Sequence, residues 1–109
     1  MFTYNITFVV APEFESRILD YLRNHLIPKL FNPESTAKNP ELKRVVEAGG
    51  EKPDEDHALS FALSAVFENL EAAHLWNDDI LLPALVDFQL KFDNNAFFFI
   101  TLMEILNLR

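Results

Sequence analysis

Asn95-Ala96-Phe97-Phe98-Phe99-Ile100-Thr101-Leu102-Met103-Glu104-Ile105-Leu106 is a β-branched and aromatic run that is apolar on both of its alternating faces. Successive side chains of a strand point to opposite sides, so such a run needs cover twice. A layer of helices supplies the first cover. The second has no obvious source within 109 residues.

Upstream of this strand, Asn69 is an N-cap for a helix running through Glu71, Trp76 and Ile80 to Pro83. A kink is expected at Pro83, with the helix continuing through Leu85, Phe88 and Phe92 to Asp93-Asn94-Asn95. Before it, Leu59, Phe61, Leu63, Ala65 and Phe67 alternate with Ala58, Ser60, Ala62 and Ser64, the period-2 signature of a half-buried strand. Both glycines of the chain fall in the turn Gly49 to Asp56. Glu41 to Ala48 reads as a charged edge strand, and Asn32 to Pro40 as a polar loop. At the N-terminal end, Phe2, Tyr4, Ile6, Phe8 and Val10 alternate with Thr3, Asn5, Thr7 and Val9. Ala11-Pro12-Glu13 ends that strand and starts a helix with Phe14, Ile18, Leu22, His25 and Leu26 on one stripe, Leu19 and Tyr21 at its edges. Pro28 is expected to end or kink it.

The order strand, helix, strand, strand, helix, strand is the split βαβ of the ferredoxin-like fold. It predicts an α+β domain spanning residues 1–109, with a four-stranded antiparallel sheet and two helices on one face. An internal repeat supports it: His25-Leu26-Ile27-Pro28-Lys29-Leu30 aligns with Ile80-Leu81-Leu82-Pro83-Ala84-Leu85. The same offset lays Ile6 on Phe61, Phe8 on Leu63 and Leu42 on Phe97, so strand parity is kept between the halves.

Composition excludes several functions. Nine basic against 17 acidic residues give a net charge of -8, the wrong sign for a phosphate backbone, so nucleic acid is not an expected partner. Without cysteine there is no disulfide framework, thiolate metal site or Cys-x-x-Cys. No run approaches the roughly 18 apolar residues of a membrane span, and no basic residue precedes the apolar Met1 to Val10 segment, so neither a signal peptide nor membrane association is expected. A cytoplasmic protein is the expectation. No Gly-rich phosphate loop or nucleophile constellation is present, and no cofactor is implied.

His25, on the apolar stripe with Tyr21 one turn before it, is the polar residue most out of place. A histidine there serves as a ligand contact or base, but a boundary or core histidine satisfied by a carbonyl or by Tyr21 accounts for it more simply. Asp54-Glu55-Asp56-His57 lacks the ligand pattern of a calcium loop and reads as a solvated turn. His25, His57 and His74 lie in separate elements and form no metal motif.

The Tyr4-Asn5-Ile6-Thr7 opening, Asn24-His25-Leu26-Ile27-Pro28, Leu82-Pro83-Ala84-Leu85 and Leu102-Met103-Glu104-Ile105-Leu106 together resemble a bacterial family known as domain of unknown function 4286. The resemblance implies a ferredoxin-like protein of the dimeric α+β barrel group, which includes cofactor-free monooxygenases, small isomerases and proteins without known activity. It carries over no catalytic residue. Three functional readings stay open: a homodimer binding a small molecule over its open sheet face, a structural or interaction domain whose face is filled by its twin, and a cofactor-free monooxygenase- or isomerase-like enzyme. For the first, the candidate ligand-binding residues are Asn5, Thr7, Ser60 and Ser64 as polar groups, Phe99 as an aromatic wall, and Tyr21 with His25. The final strand must show the open face either Phe97, Phe99 and Met103 or Phe98, Ile100 and Leu102. Either choice leaves large apolar groups bare, which predicts a face-to-face twofold homodimer.

Overall fold

The computed structural model describes residues 1–46 and 58–108. Its strands are β1 (Phe2–Val10), β2 (Lys38–Arg44), β3 (Leu59–Phe67) and β4 (Ala96–Glu104), in the sheet order β2-β3-β1-β4 with every neighbouring pair antiparallel. The first helix is α1 (Glu15–Tyr21), a π-helical turn (Leu22–Leu26) and α2 (Ile27–Leu30); the second is α3 (Leu70–Trp76), a π-helical turn (Asn77–Leu81) and α4 (Leu82–Phe92). The expected ferredoxin-like α+β fold, with an open sheet, is what these elements form.

Register decides which side of each strand is core. Ile6 stands between Leu63 and Ile100, and Phe8 between Phe61 and Phe98. Tyr4, Ile6, Phe8 and Val10 therefore share the helix-covered side with Phe61, Leu63, Ala65 and Phe67, all buried. On β4 the same side carries Ala96, Phe98, Ile100 and Leu102. The helices close this layer with Ile18, Leu22, Leu26 and Leu30 from the first and Trp76, Leu81, Leu85, Phe88 and Phe92 from the second. Burying a side chain of this size contributes about 1.5–3 kcal/mol. Edge-on ring contacts, such as Phe8 against Phe88 at 5.1 Å, add geometric preference. The lone Trp76 donates its indole N–H to the Leu30 carbonyl at 3.0 Å, tying the end of the first helix to the second.

The second helix continues past Pro83 to Phe92 as expected, and the first runs two residues past Pro28 before ending at Leu30. Each has a π turn just upstream of its proline: the Ile27 N–H bonds the Leu22 carbonyl and the Leu82 N–H bonds the Asn77 carbonyl, both i to i+5. A proline lacks the N–H for the carbonyl four residues back and its ring collides with that carbonyl. Widening the preceding turn moves the carbonyl aside and lets the helix go on. The two turns are separated by the offset that relates the halves of the sequence. The π turn also explains a burial spacing of four, at Ile18, Leu22, Leu26 and Leu30, where an ideal α-helix would drift off the stripe.

Two further expectations change. β2 begins at Lys38 rather than Glu41 and ends at Arg44; Asn39, at φ 53°, and Pro40 form a bulge between Lys38 and Glu41. An edge strand tolerates proline at a bulge, which is why a residue read as a breaker lies inside it. The preceding loop is correspondingly shorter, and is held by the Ser35 hydroxyl donating to the Leu30 carbonyl at 2.8 Å. Glu47, Ala48, the turn Gly49 to Asp56 and the Asp54 to His57 group lie outside the described residues. Asn69 caps α3 as expected, its side-chain oxygen accepting from the Ala72 N–H at 2.8 Å.

Candidate functional site

The helix layer covers one side of the sheet, so the odd-numbered residues of β1 and β4 and the even-numbered residues of β3 form the open face. Its centre is small and polar: Thr3, Asn5 and Thr7 of β1 stand opposite Val66, Ser64 and Ala62 of β3, with Ser60 opposite Val9. The Asn5 amide donates to the Thr7 hydroxyl at 3.0 Å, a bond in which the amide oxygen and the threonine proton take no part. On the other flank Thr7 stands opposite Phe99, Asn5 opposite Thr101, Thr3 opposite Met103 and Val9 opposite Phe97. β4 thus turns Phe97, Phe99 and Met103 to the open side, at 51%, 57% and 46% exposure. The Phe97 and Phe99 rings meet edge to face at 5.7 Å.

Charges on this face cancel. Registered against β3, Lys38, Glu41 and Lys43 of β2 are its ionisable side chains among the described strand residues. Glu41 pairs with Lys43 at 2.9 Å, and Lys38 reaches Glu68 at 2.8 Å. The Lys38 ammonium, by hydrogen bond and charge, holds the Glu68 carboxyl below the usual range. For a chain of net charge -8, a face whose described strand residues carry their charges in pairs is a distinct surface.

Five of the seven candidate residues, Asn5, Thr7, Ser60, Ser64 and Phe99, therefore share one face. Tyr21 and His25 do not join them. Tyr21 belongs to the helix layer, its ring 5.4 Å from that of Phe92, with the Lys91 ammonium 5.9 Å above it. His25 is exposed, not on the buried stripe, and lies 5.3 Å from the Tyr21 ring in a tilted stack. The π turn is the reason: it places Leu22 and Leu26 inward and turns Arg23, Asn24 and His25 between them to solvent. A four-residue apolar spacing followed by proline was the available signal. Thr3 and Thr101, opposite Met103 and Asn5, are open-face polar residues absent from the expected set; the strand alternation already placed Thr3 on this face, whereas the place of Thr101 followed only once the face of β4 was known. Among the described residues, no three His, Cys, Asp or Glu side chains converge as a metal site, and no helix is long and apolar enough to cross a membrane.

Residues 1–106 match the profile of a family described as domain of unknown function, DUF4286. The chain belongs to that family. Among solved structures, it is similar to an ethyl tert-butyl ether (ethd) family protein from Bacillus halodurans, with TM-score 0.67 and 14% identity over 97% of this chain and all of the other. It is likewise similar to a protein from Deinococcus radiodurans named as an antibiotic biosynthesis monooxygenase, with TM-score 0.68 and 14% identity over 98% of this chain and 94% of the other. At such identity the DUF4286 chain shares their fold, and nothing further follows about its chemistry. A search of curated proteins finds no match.

Proposed function

We propose that this DUF4286 protein is a twofold homodimer, a single-domain α+β barrel whose two sheets face each other and hold a small, uncharged or weakly polar molecule between them. The observation that carries the reading is the open face itself: a polar floor of Asn5, Thr7, Ser60, Ser64 and Thr101, an apolar wall of Phe97, Phe99 and Met103, and its charges neutralised in pairs. An acidic chain that associates with itself needs a contact surface free of net charge. Aromatic walls around a few convergent polar groups are the usual composition of a small-molecule site.

Binding is favoured over monooxygenase-like chemistry, the kind named for one structural neighbour, and over isomerase-like chemistry. Proton abstraction requires a base within reach of the ligand. Among the described open-face strand residues the only carboxylate is Glu41, exposed and paired with Lys43, while Tyr21 and His25 lie in the helix layer. A dimer whose interior is packed solid is the competing structural reading.

Thermal-shift screening against small neutral aromatics and small aromatic acids separates these readings. A ligand at a hundred times its Kd stabilises by about 2.7 kcal/mol, which for a chain of this size raises Tm by roughly 10 °C or more. The expected result is such a shift with a neutral aromatic, lost in the double variant Thr7→Val/Ser64→Val. A flat response across the panel, from a dimer with no cavity between its sheets, would establish the structural reading instead.

A further inference from the structure

We propose that the segment Ile105–Leu108, which follows β4, is an arm that crosses to the second copy and is covered there; this rests on the dimer of the preceding section. The segment is anchored at its start, because the Ile105 N–H bonds the Met1 carbonyl at 2.8 Å and extends the β1–β4 ladder by one step. Beyond that point the apolar side chains of Ile105, Leu106 and Leu108 are left exposed by the described residues. Ile105, Leu106 and Leu108 are 50%, 71% and 101% exposed, compared with 51%, 57% and 46% for the Phe97, Phe99 and Met103 row. The chain therefore carries two uncovered apolar surfaces that are continuous along one strand.

Three observations assign the cover to a second copy. Ile105 has the same parity as Phe97, Phe99 and Met103, so the arm leaves the sheet directly from the face proposed to meet the twin. Four extended residues reach about 13 Å, more than the roughly 10 Å between stacked sheets. Footprint points the same way. The strands β1, β3 and β4, nine residues each, with the seven of β2, give a footprint on the order of 500 Å². A standard interface buries about 800 Å² of accessible surface per partner. Side-chain relief narrows that difference, and the arm supplies more area.

The two edges of the sheet indicate where the arm lands. The β2 edge is guarded by Pro40, a bulge and Lys38, Lys43 and Arg44. β4 presents Ala-Phe-Phe-Phe-Ile-Thr-Leu-Met with no charge before Glu104. An outer strand so unprotected is a template for another chain. The arm of one copy is accordingly placed against the β4 edge of the other, near the axis, and the twofold makes the exchange reciprocal.

The natural chain has no cysteine, so Leu108→Cys provides a single thiol reporter at a position fully exposed in the protomer. Maleimide labelling is followed across protein concentrations from well below to well above the dimer midpoint, with mass measured by light scattering on the same samples. Labelling is expected to slow about tenfold or more as the dimer forms, and to recover in the background of Phe99→Glu. A dimer whose thiol labels at the monomer rate overturns the arm and leaves the barrel standing. A mass near 12.6 kDa throughout overturns both. As an independent check, Ile105→Ser/Leu106→Ser/Leu108→Ser replaces only exposed or half-exposed side chains, so its circular dichroism should stay native while the dimer Kd rises about tenfold or more. An unchanged Kd likewise refutes the arm.

Discussion

Replacing Phe99 by Glu separates the protomer's own stability from that of the proposed dimer. Phe99 is 57% exposed, so of the roughly 200 Å² of a phenylalanine about 110 Å² awaits cover. At about 25 cal/mol per Å² this amounts to roughly 3 kcal/mol per copy, and twofold symmetry doubles it to about 6 kcal/mol. Full cover in the dimer therefore predicts a Kd raised by about four powers of ten, and half cover by about a hundredfold. The new carboxylates, brought into a face whose charges are already paired, push in the same direction. Within the protomer the cost is smaller, about 1–2 kcal/mol, because only the part of the ring against Phe97 and the sheet is lost. Sedimentation velocity from 0.1 to 100 µM, with a thermal melt on each sample, reads both quantities. The expected result is a native-like monomer. Wild-type protein that sediments near 12.6 kDa over this range, or a variant that dimerises as tightly as wild type, would refute the reasoning.

Trp76→Phe removes the hydrogen bond to the Leu30 carbonyl, which keeps the Ser35 hydroxyl as a donor, and leaves a small void; about 2 kcal/mol should be lost in urea unfolding followed by circular dichroism. A loss under 0.5 kcal/mol would mean that the bond between the two helices contributes nothing. Asp93, at φ 50° and ψ -131°, occupies a region that suits glycine, so Asp93→Gly should raise stability by about 1 kcal/mol in the same assay, and destabilisation would show that the aspartate side chain holds the turn. Burial, with a contribution from the nearby Asp78 charge, raises the Tyr4 hydroxyl above its ordinary range. Because its folded pKa is the higher one, the unfolded chain releases that proton first: stability is intact below about pH 10 and falls as pH rises through the folded pKa, on the order of 1 kcal/mol per unit for this one group. Tyr4→Phe should make the alkaline decline shallower, and parallel wild-type and variant curves would contradict this. At moderate salt neither RNA nor DNA should bind, and micromolar retention in a mobility assay would count against that.

Local pattern was enough for the skeleton. The alternation of Phe2 to Val10 and of Leu59 to Phe67 determines which side of each central strand is core, because only one side of each is large and apolar. Asn69 is legible as a cap because its short side chain reaches a free N–H within its own turn. The topology follows from element order and from the repeat that maps Leu26 onto Leu81 and Leu30 onto Leu85, positions buried in both halves. β4 was different: Phe97, Phe98, Phe99 and Ile100 satisfy either face, so nothing local chooses between them. Pairing chose, by setting Phe8 opposite Phe98 and Thr7 opposite Phe99, and that choice sends Phe99 to the open side and places Thr101 beside Asn5. Two other features depended equally on distant partners. Pro28 reads locally as a helix end, yet Leu30 is buried and its carbonyl accepts the Trp76 indole N–H from the other half of the chain, so the helix passes the proline through a π turn that carries His25 out to solvent. Pro40 likewise reads as a loop until β3 offers an edge on which a bulge absorbs it. Periodicity and capping are set by neighbours within one turn or two residues, whereas the choice between two equally apolar faces, or between breaking and widening a helix, depends on what packs against it from elsewhere in the chain.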